Sequence, residues 1–170
     1  MSKVFLDTCV WFELVAGANP TSAHQILQTQ KATDLLNNIL SSNDEIIILD
    51  IQLIELTQTI IKAKLKECNR DLKQNRQSGI GNIKQFRNDP TCHQYYSNAI
   101  NVCSHAINDI RAFSKKIEIC HSDIDKILCN LIKADINDYI YYEFCQKNDI
   151  RLYTFDQDFN DFEYQYLNIL

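Results

Sequence analysis

The run "DIRLYTFDQDF" sets Asp156 and Asp158 immediately past a strand-like apolar segment. Successive side chains of an extended chain alternate faces, so these two acids are expected on one side, with Phe155 and Phe159 on the other. The same placement recurs elsewhere. "KVFLDT" ends an apolar run at Asp7, and "EIIILDIQLIEL" runs into Asp50 and, about one helical turn later, Glu55. "KADINDYIYYEFCQKND" carries Asp135 and Asp138 where a helical pattern begins; Asn137 can cap that helix, with Ile140 and Phe144 facing the core. Singly, each acid fits a cap or a solvated turn, because the dipole at a helix amino terminus favours negative charge. Jointly they pose a physical problem. Carboxylates brought within a few ångströms repel one another, and burial raises their pKa values unless a cation shares the site. Oxygen-only donors suit a hard ion such as Mg²⁺ or Mn²⁺ rather than zinc, and such ions activate water in phosphodiester hydrolysis.

The acids meet only if the elements beneath them share one direction. Residues 3–6, 45–49, 116–120 and 150–154 read as short strands, and the segments between them have helical period. Residues 22–41 gather Ile26, Leu27, Leu35, Leu36, Ile39 and Leu40 on one helix face. A second helix follows Asp50 as its cap, carrying Leu53, Ile54, Ile60, Ile61 and Leu65. "NDP" at 88–90 reads as a helix start, with Asp89 as cap and Pro90 in the first turn, followed by Ile100, Cys103, Ile107 and Ile110. Short apolar strands alternating with helices predict an α/β fold, a parallel sheet covered on both faces. In such sheets the functional crevice lies beyond the carboxyl ends of the strands, which is where Asp7, Asp50, Glu55 and Asp156 fall.

Other classes drop out. Gly17, Gly79 and Gly81 are the only glycines, and none forms the strand-to-helix loop that cradles a nucleotide phosphate. The seven cysteines are odd in number and contain no C-x-x-C pair, so they read as reduced core thiols. Cys92–His93 and Cys120–His121 lack the tight paired spacing of zinc sites. With 170 residues, 45% hydrophobic and 23% charged, the chain reads as one globular domain. No apolar stretch is long enough for a bilayer, and acids interrupt "MSKVFLDTCVWFEL", so a soluble, cytoplasmic protein is expected.

"VFLDT", the helical Glu55 of "DIQLIEL", "NDYIYYEFC" and "LYTFDQDF" occur in this order over nearly the whole chain, and together they resemble a PIN domain, the nuclease fold of the VapC-type toxins. The resemblance implies a three-layer α/β/α fold with a central parallel sheet. It makes Asp7, Glu55, Asp138 and Asp156 the catalytic, metal-binding acids for Mg²⁺ or Mn²⁺, with Thr8, Asp135, Thr154 and Asp158 at supporting polar positions. It further implies metal-dependent cleavage of single-stranded RNA and, as in many toxin members, a cognate antitoxin partner; the sequence leaves both the antitoxin and a homodimer open. A PIN nuclease in RNA processing or on DNA flaps, and a non-catalytic PIN-like scaffold, remain the alternatives.

The chain departs from compact members of that family in a long helical excursion, about 62–115. Residues 62–87 carry eight basic residues against Glu67 and Asp71, a local charge of +6 within a chain of net charge −5. Lys62, Lys66, Arg70, Lys73 and Arg76 are therefore candidate RNA contacts beside a metal site. A solvated helix with long basic side chains accounts for the same residues.

Overall fold

The structure, a computed structural model, describes residues 2–16, 22–117 and 135–170. Five strands form one parallel sheet in the order β3-β2-β1-β4-β5. They are β1 (Lys3–Leu6), β2 (Glu45–Ile48), β3 (Ser114–Lys116), β4 (Arg151–Thr154) and β5 (Leu167–Ile169). Alternation along the strands feeds two cores. Val4, Leu6, Ile46 and Ile48 pack on one face with Val10, Trp11, Leu53, Leu56, Ile60 and Ile110. Phe5, Ile47 and Leu152 pack on the other with Tyr141, Phe144, Cys145 and Phe159. Burial on both faces is why β1 and β2 are nearly continuous apolar runs, and it makes the fold a three-layer α/β/α sandwich.

The helices of the first face are α1 (Thr8–Ala16), α2 (Ala23–Ser41), α3 (Asp50–Gln74) and α5 (His93–Phe113). The short α4 (Ile83–Asn88) packs against α3 and α5, and α6 (Ile136–Lys147) covers the second face. Asp89 caps the 3-10 turn Pro90–Cys92 that leads into α5, as the "NDP" signal predicts. The helical excursion has its own small core of Cys68, Leu72, Ile80, Phe86 and Cys92, beyond the edge of the two sheet cores.

Several sequence expectations need correction. The third strand lies at 114–116 rather than 116–120, and residues 118–120 of that expectation fall outside the described residues, as do Cys120, His121 and Cys129. Its sequence, "SKK", has no apolar signature because it is an edge, where lysines discourage further pairing. The other edge, β5, is half-buried and its three residues were too short to read as a strand. In α2 the core-facing stripe is Ala32 and Ile39 with the partly buried Leu35 and Leu36, while Ile26, Leu27 and Leu40 are exposed; among the described residues the helix packs chiefly on α1, so a narrow stripe suffices. Ile54 and Ile100 also face outward. Asp50 does not cap α3, whose N-cap is Leu49; Asp50 pairs instead with Lys116 of β3 at 2.5 Å.

A chain so poor in glycine closes three helices with other residues. Asn43, Arg76 and Asp149 adopt left-handed φ values of 54°, 57° and 52° just past α2, α3 and α6. In each case the next amide reaches back to the helix, as Asp44 N to Ile39 O, Gln77 N to Leu72 O and Ile150 N to Cys145 O. These are Schellman closures in which Asn, Arg and Asp take the position usually held by glycine. Two of them aim the chain directly into β2 and β4.

Candidate functional site

Asp7 follows β1 and is held in the ladder, its N–H donating to Tyr153 O at 2.9 Å. Its carbonyl accepts from Val10 and Trp11 N–H, so the residue joins β1 to the first turn of α1. The side chain is 3% exposed. Oδ1 accepts from Thr8 N–H (2.5 Å), and Oδ2 accepts from the Thr154 hydroxyl (2.6 Å) and the Cys9 thiol (3.2 Å). Thr154 is positioned because β4 lies beside β1, and its hydroxyl in turn accepts from Asp156 N–H at 2.9 Å. The amide of Phe155 donates to Cys9 Sγ at 3.3 Å. The ends of β1 and β4 are thus stitched together through one carboxylate.

Glu55 is reached from two other elements. The Thr8 hydroxyl at the start of α1 donates to Glu55 Oε2 at 2.7 Å, and the Tyr141 hydroxyl of α6 donates to the same oxygen at 2.5 Å. One turn earlier on α3, the buried Gln52 donates its amide to Leu6 O and so fixes the start of the helix against the end of β1.

Asp138 sits in the first turn of α6 and is 8% exposed. The cap of this helix is Asp135, not Asn137: its carboxylate accepts from Asn137 N–H (3.0 Å) and Asp138 N–H (3.3 Å). The helix therefore begins two residues before the predicted start, because an aspartate accepts the free amides of the first turn well. Asp156 likewise caps a 3-10 helix, Gln157–Asp161, accepting from Asp158 N–H at 2.9 Å. The chain consequently leaves the extended conformation at Asp156, and the alternation expected through Asp158 fails. Asp158 is exposed in that turn, and Phe155 and Phe159 pack on opposite faces of the sheet.

Electrostatics bind the four principal acids into one group. Burial pushes the Asp138 carboxyl up to about 8, with further upward pressure from Asp7, Asp135, Asp156 and Glu55, in that order. Burial pushes Asp7 up to about 6; the hydrogen bonds from Thr154, Cys9 and Thr8 counter it, and Glu55 adds to it. The same field, after burial, raises the Cys9 thiol through Asp7 and the Tyr141 phenol through Glu55, so both stay protonated donors. Asp50, the other acid expected at this rim, has turned away to Lys116.

The donors present, carboxylates backed by hydroxyls, suit a hard divalent cation and not a thiophilic one, since the protonated Cys9 spends its proton on Asp7. Among the described residues no three His, Cys, Asp or Glu groups are drawn together tightly enough to chelate an ion as they stand. Tyr141, Cys9 and Gln52 were not singled out from sequence. Tyr141 carried a signal, lying three residues after Asp138 and hence on the same helix face; Cys9 and Gln52 carried none.

Lys62, Lys66, Arg70 and Lys73 are all exposed along α3, and Arg76 is exposed just past its end. No helix among the described residues is long and apolar enough to cross a membrane. Compared with known proteins, the chain matches no family model and no curated sequence.

Proposed function

We propose that the chain is a metal-dependent endoribonuclease that hydrolyses phosphodiester bonds of single-stranded RNA at the rim formed by Asp7, Glu55, Asp138 and Asp156. One observation carries the reading: Asp138, nearly buried, is raised to about 8 by burial and by the carboxylates of Asp7, Asp135, Asp156 and Glu55. Keeping these carboxylates ionised together at the carboxyl end of a parallel sheet is costly, and a bound cation removes that cost.

In this mechanism Asp7, Glu55, Asp138 and Asp156 would hold Mg²⁺ or Mn²⁺, and the ion when bound would supply water activation and charge stabilisation. The chain's own work is positioning. Thr8, Thr154 and Cys9 fix both oxygens of Asp7, and Thr8 and Tyr141 fix one oxygen of Glu55 while leaving the other uncommitted by these two bonds. Asp135 sets the start of α6 and with it the height of Asp138. The motif resemblance extends the proposal to a cytoplasmic toxin restrained by an antitoxin.

The test is cleavage of a labelled RNA pool with Mg²⁺, Mn²⁺ or chelator, by wild type, Asp7→Asn and Asp138→Asn. Cleavage by the wild type with either ion, abolished by chelation and reduced by about a hundredfold or more in both variants, is expected. Wild-type cleavage that survives chelation, or variants that cut at the wild-type rate, overturns the reading. Growth arrest on expressing wild type but not Asp7→Asn tests the toxin assignment.

A further inference from the structure

The excess positive charge of the helical excursion is not spread evenly around α3. At 100° per residue, Lys62, Lys66 and Lys73 fall within about 20° of the direction of Glu55 on that helix, and Arg70 within about 60°. All four are exposed. The acids of the same stretch lie on the other side. Glu67 pairs with Lys64 at 2.6 Å, and Asp71 accepts from the Tyr95 hydroxyl of α5 at 2.7 Å. Among the described residues Lys62, Lys66 and Lys73 have no acidic partner, and Arg70 only reaches its neighbour Asp71 at 3.9 Å. The face that starts at Glu55 thus continues as a row of cations with no acid in it, while the paired lysine, Lys64, points away.

We propose that this face of α3 is a track for the phosphate backbone of single-stranded RNA, leading away from the acid cluster for about 27 Å, the rise of the eighteen residues from Glu55 to Lys73. The assignment rests on the nuclease reading above for its direction, but its chemistry is independent of it. Glu55 marks the end where the backbone meets the four acids; Lys62 is about two turns further along, and Lys66, Arg70 and Lys73 follow at one-turn intervals. The length matches the lower end of the roughly 4–16-nucleotide footprints of single-strand grooves. No aromatic residue lies on this face, so the track reads phosphate rather than base and carries no sequence preference of its own. The repulsion that an acidic rim exerts on a polyanion is offset by the adjacent cations, which hold the strand next to the rim until the scissile phosphate is engaged.

Two measurements separate this proposal from the nuclease reading. Binding of a fluorescent twelve-nucleotide single-stranded RNA is followed in chelator by anisotropy between 50 and 300 mM salt, for wild type, for the variant Lys62→Gln/Lys66→Gln/Arg70→Gln/Lys73→Gln, and for Lys64→Gln. Hydrolysis of bis(p-nitrophenyl) phosphate with Mn²⁺, a diester too small to reach the track, reports the acid cluster alone. The quadruple variant is expected to bind RNA at least about tenfold more weakly, with a salt slope lower by about 3, because each single-strand phosphate contact contributes about 0.7. It should hydrolyse the small diester at the wild-type rate, and Lys64→Gln should bind RNA as wild type does. Unchanged affinity and slope in the quadruple variant overturn the track while leaving the nuclease reading intact. A wild type inert toward the small diester, with the loss of RNA affinity still present, overturns the nuclease reading and keeps the track. A wild type that binds no RNA overturns the track and points to an acidic protein as the ligand of this face.

Discussion

Replacing Asp138 with Asn should make the metal-free protein more stable, although it removes a residue from the centre of the proposed site. Asp138 has a folded-state value of about 8 against an ordinary 3.8. Because the folded value lies above the unfolded one, folding binds a proton between those limits, and stability falls as pH rises through that window. Four units at about 1.4 kcal/mol each bound the cost at about 5 to 6 kcal/mol. Water reaching the cluster past the exposed Asp135 and the half-exposed Glu55 screens it, and about 2 kcal/mol is the expected net effect at pH 8. Asparagine keeps the shape and removes the charge, and the amide bond from Asp138 N–H to Asp135 is a backbone one that survives. Urea denaturation in chelator from pH 4 to 9 is the assay. The variant should exceed wild type by about 2 kcal/mol at pH 8, with the two curves drawing together as pH falls toward 4, where the unfolded carboxyl is also becoming protonated. Saturating Mn²⁺ should reverse the order, since ligand that binds only the folded wild type adds about 2.7 kcal/mol at a hundred times its Kd. Parallel pH profiles, or a variant less stable than wild type at pH 8, refute the view that these acids are crowded.

Three further outcomes are expected. Tyr141→Phe removes one of the two donors to Glu55 Oε2, and loss of a hydrogen bond to a charged group, about 1.5–3 kcal/mol, should raise the Mn²⁺ concentration for half-maximal cleavage by about tenfold or more; an unchanged metal dependence removes Tyr141 from the site. Phe86→Ala empties the centre of the small core of the excursion, and at about 3–5 kcal/mol it should open amides of residues 61–96 to hydrogen exchange while β1, β2 and β4 stay protected; uniform loss of protection means the excursion and the sheet unfold as one unit. Asp44, held below the usual carboxylate range mainly by the Ser2 hydroxyl and amide and also by Ser42 and Arg151, contributes stability that is present above the unfolded pKa and fades as pH falls through its depressed folded value; melting of wild type and Asp44→Asn should therefore differ at pH 6 and converge in strong acid.

The sheet was legible wherever burial on both faces forced unbroken apolar runs, as in "KVFL" and "EIII". It was illegible at the edges, where "SKK" and "LNI" are held by backbone bonds to a neighbour rather than by their own side chains. Helix positions were readable from period, but which apolar residues are buried was not: Ile26, Leu27 and Ile54 sit on helices whose contact stripe is set by the partner helix. Asp7 and Asp156 were visible because strand ends are visible, and Asp138 because a helical pattern begins beside it. What fixes them was hidden, since the bonds from Thr154 to Asp7 and from Tyr141 to Glu55 span 147 and 86 residues. Asp158 was misplaced for a local reason. Asp156 caps a turn, and a capped turn ends the two-residue alternation from which its neighbour's direction was inferred.

The central place of β1 in the sheet also sets when the rim can come into existence during synthesis. Asp7 leaves the ribosome well before β4 and the turn that follows it, which complete its surroundings through Tyr153, Thr154 and Asp156; Thr154 is made 147 residues later. At translation speeds of about 5–20 residues per second, that interval is roughly 7 to 30 s. Throughout it the nascent chain can pair β1 only with β2, and the carboxylate of Asp7 lacks its Thr154 partner. On the nuclease reading proposed above, the earlier-made part of the chain carries no assembled site, and the rim gains its cutting edge only as β4 docks.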